Sequence, residues 1–92
     1  MDFEWDASKD LVNIRKHRVS FLERCETFSD SKGFSLEDKK HSSTELRFYW
    51  VGKSSTGRIL TTRYTKRGSV IRIFGCAEWR QFRRLYETTK TE

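Results

Sequence analysis

The sequence predicts an α+β fold in which helices pack on one face of an antiparallel sheet. Three stretches alternate apolar and polar side chains as extended strands do, at about residues 45–52, 58–66 and 69–75. Apolar residues at helical spacing occur near the start of the chain and again at its end. Because these helices and the main strands are segregated along the chain, helices stacked on one sheet face are favoured.

The chain begins with a predicted strand and helix. Residues 2–5 alternate acidic and aromatic side chains, a pattern typical of a short strand. Asp6 then suits the N-cap position of a helix, because its carboxylate can accept hydrogen bonds from the first backbone N–H groups. This helix is expected to end near His17 and to bury Leu11.

A second helix is predicted directly after the first. Ser20 and Glu23 have the spacing of a capping box, and the helix is expected to run to about Phe28. Residues 29–43 are mostly polar and predict a loop, with a short strand at residues 33–36.

The second half predicts three antiparallel strands and a final helix. The strands are joined by a loop at residues 53–57 and by a tight turn around Gly68. Apolar residues at helical spacing predict a helix over about residues 77–88, which can dock on the sheet. Residues 1–92 are therefore expected to form one small domain.

Positive charge is concentrated in the second half of the chain. Residues 1–45 contain 8 Lys/Arg and 10 Asp/Glu, whereas residues 46–92 contain 11 and 3, so their net charges are −2 and +8. This asymmetry indicates a polyanionic partner, either a nucleic acid or an acidic protein. A membrane surface is disfavoured, because the basic residues do not follow an amphipathic lipid-binding pattern.

Several other functional classes are disfavoured. Two cysteines do not define a disulfide framework, and the acidic start of the chain differs from a signal peptide, so a cytoplasmic setting is expected. No Cys or His spacing indicates a metal site, and no cofactor is expected. Residues 52–57 resemble a phosphate-binding loop only superficially, because that motif requires a following helix.

Arginine and tyrosine side chains are predicted to share the open face of the sheet. Successive strand residues point to opposite sides, so Arg63 and Arg67 share a side and Arg72 points away from Ile71 and Ile73. The candidate catalytic cations on this face are Arg47, Arg67 and Arg72, and the candidate RNA-binding residues are Tyr49, Arg58, Arg63 and Lys66. The alternative is a solvated face whose arginines pair with carboxylates.

RNA cleavage requires more than cations. It needs a base near the 2′-hydroxyl, charge stabilisation at the scissile phosphate and an acid for the leaving oxygen. His17 is either a dipole partner at the end of the first helix or a catalytic or RNA-contacting residue, whereas His41 is expected to be solvated. Two functions stay open: a metal-independent RNA endonuclease, and a non-catalytic basic module that binds a protein partner or nucleic acid.

Short motifs follow one another in a specific order along nearly the whole chain. In the first half they are residues 3–6 (Phe-Glu-Trp-Asp), Lys9, Asn13 and Lys16-His17-x-Val19-Ser20-Phe21. In the second half they are His41-Ser42, Glu45-x-Arg47-Phe48, Gly57-Arg58-x-Leu60, Tyr64-Thr65-x-Arg67-Gly68 and Ile71-Arg72-Ile73. This ordered combination resembles the BrnT toxins of bacterial type II toxin–antitoxin systems.

The resemblance implies a RelE-like fold, ribonuclease toxicity and neutralisation by a cognate antitoxin from an adjacent gene. It also implies that Arg67 and Arg72 are site residues, because both fall in matched motifs. Many family members have Ser-Ala-Arg after the last strand, where this chain has Gly-Cys-Ala at residues 75–77. Arg80 is the candidate replacement for that arginine. Arg18 stands where the family usually has Gly and adds a cation near His17.

Overall fold

The computed structural model describes residues 2–90, which form a five-stranded sheet and three α-helices. The elements are β1 (Asp2–Trp5), α1 (Ala7–His17), α2 (Phe21–Thr27), β2 (Phe34–Glu37), a 3₁₀ turn (Lys39–His41), β3 (Phe48–Lys53), β4 (Ile59–Arg67), β5 (Val70–Ala77) and α3 (Arg80–Lys90). The strand order is β1-β5-β4-β3-β2. β1 pairs with β5 in parallel and the other pairs are antiparallel, so the sheet is mixed. The predicted α+β class is confirmed.

Local hydrogen bonds explain where the first two helices begin and end. Asp6 Oδ1 accepts from the backbone N–H groups of Ser8 at 3.0 Å and Lys9 at 3.2 Å, and Ser20 Oγ accepts from the following turn of α2 in the same way. Arg18 ends α1 in a left-handed conformation with φ of 55°. The expected burial of Leu11 was wrong, since it is 58% exposed. No helix within residues 2–90 combines the length and apolar character needed to cross a membrane.

The two sheet faces carry different helices. α2 covers one face through Phe28, whose ring stacks on Trp50 at 5.2 Å and meets Tyr64 edge-on. α3 packs on the opposite face, where Tyr86 lies in a cluster with Val51 and Ile59. This differs from the prediction that all helices cover one face, because the face with the arginines also carries apolar residues that α3 buries.

The starts of two elements differ most from the prediction. β3 begins at Phe48, three residues later than predicted, because the Arg47 carbonyl accepts from the Asp38 N–H at 2.8 Å and the Arg47 N–H donates to Ser42 Oγ at 2.9 Å. These bonds tie Arg47 to the preceding loop. α3 begins at Arg80 because β5 continues through Ala77, which pairs with Thr61.

Candidate active site

One face of the sheet carries a group of cations and a tyrosine, and we call it the arginine face; its members are Arg47, Tyr49, Arg63, Arg67 and Arg72. The strand register places them together: Tyr49 lies opposite Arg63, Thr65 opposite Arg72, and Arg67 opposite Val70. Directly opposed residues of paired strands point to the same side. The guanidinium of Arg47, just before β3, lies 4.2 Å from the centroid of the Phe74 ring.

A β-bulge in β5 shapes the middle of this face. Arg63 pairs with Gly75 and the next residue, Tyr64, pairs with Ile73, so Phe74 is an extra residue in β5. A Cβ atom at Gly75 would lie only 3.4 Å from Arg63 Nη2. The guanidinium of Arg63 therefore lies directly over the backbone of Gly75.

Two depressions meet at Arg63. The first, which we call the arginine pocket, has a volume of about 280 Å³ and is lined by Lys9, Asp38, Arg47, Arg63 and Phe74. The second, which we call the histidine pocket, has a volume of about 60 Å³, and its lining includes Asn13, His17, Arg63, Gly75 and Trp79. Three cations thus face the first pocket, and an imidazole borders the second.

α1 supplies one wall of both pockets. Lys9, Asn13 and His17 are spaced four residues apart, so they lie along one stripe of the helix. β1 pairs with β5 only as far as Ile73, and Asn13 Oδ1 accepts a hydrogen bond from the backbone N–H of Cys76 at 3.2 Å. Asn13 therefore holds α1 beside the part of β5 that β1 does not pair with. This places Lys9 and His17 at the edge of the arginine face.

A buried carboxylate lies at the opposite wall of the arginine pocket. Asp38 is 5% exposed, and its Oδ2 lies 2.8 Å from His41 Nδ1. Tyr49 lies close enough to this carboxylate for Asp38 to affect its pKa. Burial raises the pKa of Tyr49, and the charge and hydrogen bond of Asp38 raise it further against the opposing effect of Arg63. Tyr49 therefore stays a neutral hydroxyl near Asp38.

The arginines of the face differ in their carboxylate partners. Arg67 lies 3.5 Å from both Glu4 and Glu45. The same glutamates reach Arg72 at 3.8 Å and Arg47 at 3.6 Å. The alternative of arginines paired with carboxylates therefore describes these three, in geometries that are long for charge-assisted bonds. In the described part of the chain, no carboxylate forms an ion pair with Arg63, which is the most available cation of the face.

Arg58 has several contacts that hold elements together. Its guanidinium lies 3.2 Å from Glu23 and 2.9 Å from Glu78, and it donates to the backbone carbonyls of His17 and Arg18. These bonds join the end of α1 to α2 and to the segment before α3. The structure thus gives Arg58, predicted to bind RNA, a set of internal contacts.

Arg80 and Lys66 lie away from the two pockets. Arg80 borders surface depressions on α3 together with Glu78, Trp79 and Arg83, and it does not line either pocket that contains Arg63. Lys66 pairs with Ile71 and alternates with Arg67 along β4, which places it on the opposite face of the sheet. Neither residue is brought to Arg63.

Cys76 borders the histidine pocket but is not a suitable nucleophile. Burial raises the pKa of its thiol to about 11, more than the hydrogen bond from Thr62 and the nearby arginines lower it. A thiol is nucleophilic as the thiolate, so Cys76 stays in its unreactive form near neutral pH.

Sequence reasoning missed two residues of this site, Lys9 and Asp38, as functional candidates. The spacing of Lys9, Asn13 and His17 was a usable signal, because residues four apart share a helix face. Asp38 gave a weaker one, since it lies three residues before His41 in a polar segment. Within residues 2–90, no group of three or more His, Cys, Asp or Glu side chains is arranged to hold a metal ion.

A comparison with models of protein families identifies the family of this chain. The model of the ribonuclease toxin BrnT of type II toxin–antitoxin systems matches residues 5–81. A search of curated proteins found no match. The matched range includes β2 to β5, all residues of the arginine face, and His17 and His41. The chain therefore belongs to the BrnT family, the ribonuclease toxins of type II toxin–antitoxin systems, which implies an RNA substrate and an antitoxin partner.

Proposed function

We propose that this protein cleaves RNA on the arginine face without a metal ion, by attack of a 2′-hydroxyl on the adjacent phosphate. The observation that supports this most strongly is the position of Arg63, which is common to both pockets. A phosphate bound to Arg63 meets Arg47 and Lys9 on one side and His17 on the other. The site thereby combines charge stabilisation with a group that can transfer a proton.

Arg63 has the features expected of the cation that stabilises the transition state. Its planar guanidinium can donate two parallel hydrogen bonds to a phosphate, and the cation is held over Gly75 before RNA arrives. Arg47, positioned over Phe74, and Lys9 add positive charge in the arginine pocket. His17 is placed to protonate the leaving 5′ oxygen from the histidine pocket.

Arg67, Arg72 and Trp79 fit a role along the RNA chain. Arg67 and Arg72 lie further along the arginine face and suit neighbouring phosphates, because Glu4 and Glu45 offset part of their charge. Trp79 is 36% exposed at the histidine pocket and packs 5.3 Å from Tyr49. An exposed indole at this position offers a stacking surface for an unpaired base, so single-stranded RNA is the proposed substrate.

Arg63→Ala tests this proposal directly. We expect the purified wild-type protein to cleave a fluorescein-labelled single-stranded RNA oligonucleotide in EDTA, leaving a 2′,3′-cyclic phosphate. Arg63→Ala should cleave about 100-fold more slowly, because loss of one preorganised transition-state donor typically costs that much. Arg83→Ala is the matched control: it removes an exposed α3 arginine that pairs only loosely with Glu87, at 3.8 Å, and should keep the wild-type rate.

The outcomes separate the proposal from its alternatives. Cleavage by Arg63→Ala at the wild-type rate would remove Arg63 from the site. Activity that stops in EDTA and returns with Mg²⁺ would contradict a metal-independent reaction. RNA that is bound by the wild-type protein but never cut would favour the non-catalytic basic module.

We also propose that the cognate antitoxin inhibits the protein by covering the arginine face. An acidic polypeptide complements the net +8 of residues 46–92, and charge complementarity speeds association and selects partners. Such a partner would bind the same cations that bind RNA, so one surface would serve both ligands.

A further inference from the structure

An Asp–His pair, Asp38 and His41, meets the arginine pocket through its aspartate. Asp38 lines that pocket, and its buried carboxylate lies 2.8 Å from His41 Nδ1. The His41 side chain is 45% exposed, so its far edge is accessible to solvent and to a ligand. Nothing in the fold requires a histidine here, because the 3₁₀ turn is closed by backbone bonds and by Ser42 Oγ, which donates to the Asp38 carbonyl.

Asp38 fixes both the orientation and the tautomer of His41. A carboxylate only accepts hydrogen bonds, so Nδ1 of His41 donates to it and Nε2 is left as the proton acceptor. The negative charge of Asp38 also stabilises the imidazolium that forms when Nε2 takes up a proton.

His17 and the Asp38–His41 pair are associated with different pockets, and both pockets include Arg63. His17 borders the histidine pocket, Asp38 borders the arginine pocket and holds His41 Nδ1 at 2.8 Å, and Arg63 is shared by both pockets. In-line displacement at phosphorus requires the entering and leaving oxygens on opposite sides of the phosphate. A phosphate on Arg63 would therefore have one proton-transfer group available on each side.

We propose, on the basis of the proposed ribonuclease function, that His41 is the general base of the reaction and that Asp38 is its positioning residue. Nε2 of His41 takes the proton of the 2′-hydroxyl as O2′ bonds to phosphorus. The bond from phosphorus to O5′ breaks, and His17 protonates O5′. The products are a 2′,3′-cyclic phosphate and a 5′-hydroxyl, and no water, metal or redox partner is consumed.

The test measures kcat and KM of the full chain on the labelled single-stranded RNA oligonucleotide. We expect His41→Ala to lower kcat about 100-fold with little change in KM, as is typical for loss of a general base. Added imidazole should restore part of the kcat of His41→Ala, since the vacated position is open to solvent. Lys40→Ala is the matched control: it removes a neighbouring cation from the same turn and should keep the wild-type kcat.

Asp38→Asn tests the positioning role. An amide can turn its NH₂ group towards Nδ1 and so favour the wrong tautomer, and we expect kcat to fall at least 10-fold while RNA affinity is kept. If Asp38→Asn proves unstable, the imidazole rescue of His41→Ala decides the matter alone.

The results separate this inference from the proposed function. A wild-type protein that cuts RNA, an Arg63→Ala variant that does not, and a His41→Ala variant with normal kcat would overturn the role of His41 and leave the ribonuclease proposal standing. A His41→Ala defect that imidazole does not relieve would also overturn it. A wild-type protein that cuts no RNA would overturn both.

Discussion

Asp30 connects three parts of the molecule through one carboxylate. It accepts hydrogen bonds from the Tyr86 hydroxyl at 2.6 Å and from the backbone N–H groups of Lys53 at 2.8 Å and Lys32 at 3.0 Å. Burial acts to raise the pKa of Asp30, but these hydrogen bonds and the charge of Lys53 outweigh it and lower the pKa below 3.8. Burial and Asp30 together raise the pKa of Tyr86 to about 12.

The lowered pKa of Asp30 predicts a contribution to acid stability. The unfolded chain binds this proton more tightly than the folded one, so the stabilisation is present above the unfolded pKa of 3.8 and is lost as pH falls through the folded pKa. We expect Asp30→Asn to lower the unfolding temperature at neutral pH, and the difference from wild type to narrow below pH 3.8. Thermal denaturation followed by circular dichroism across a pH series checks this.

Glu37→Gln is the control for that series. Glu37 is an exposed residue of the edge strand β2, and its replacement should leave the pH dependence as in the wild type. A constant difference in unfolding temperature between Asp30→Asn and wild type at every pH would contradict this link between the pKa of Asp30 and stability.

At the scale of the element, the bulge in β5 determines where Arg63 lies. A Cβ at Gly75 would be 3.4 Å from Arg63 Nη2 and 3.5 Å from Asn13 Oδ1, so a larger side chain must displace one of them. We expect Gly75→Val to reduce RNA cleavage by roughly 100-fold, as Arg63→Ala does. Valine favours strands, so the sheet should still form, which denaturation would show.

Gly75→Ala provides the matched comparison. Its methyl group makes ordinary van der Waals contact and should leave most of the activity. Full activity in Gly75→Val would show that the position of Arg63 over the bulge is not needed for cleavage.

Structural features that depend on contacts between residues close in sequence were predictable. The N-caps at Asp6 and Ser20 depend on groups within three residues, and both predictions were confirmed. The face covered by α3 was not predictable in this way. Alternation shows which residues of a strand share a side, but it does not show that Val51 and Ile59, on the same side as Arg63, would be buried by a distant helix.

The candidate site also combines features that the sequence predicts with features that depend on distant contacts. The sequence predicts that Arg63 and Arg67 share a side of their strand, and the register of β4 and β5 puts Arg72 on that side as well. It gave no sign that Arg63 would lie over Gly75, because this requires a bulge whose extra residue looks like any other strand residue. Lys9 and Asp38 lie far from Arg63 along the chain. Helical spacing could show that Lys9 shares a face with His17, but it could not show that this face meets Arg63.

At the scale of the whole molecule, charge should decide how the partner binds. We expect the antitoxin from the adjacent gene to displace labelled RNA from the protein and to suppress cleavage. Arg47→Glu should weaken the complex with the antitoxin more than Arg83→Glu, because only Arg47 belongs to the arginine face. Competition binding measures both effects.

Two results would contradict this picture of the complex. One is simultaneous binding of RNA and antitoxin with undiminished cleavage. The other is equal weakening by the two charge reversals, which would indicate general attraction to a basic protein rather than contact with the arginine face.

Glu4 and Glu45 place two carboxylates beside Arg67, at the distance where an RNA backbone would bring its own anions. Nucleic acid that reaches only this end of the face exchanges one anion for another and releases fewer counterions than the number of arginines suggests. A strand that also reaches Arg63 meets a cation without such a competitor. If RNA is cleaved on this face as proposed, we expect Glu4 and Glu45 to weaken the binding of nucleic acid that contacts only Arg67, relative to RNA that also reaches Arg63.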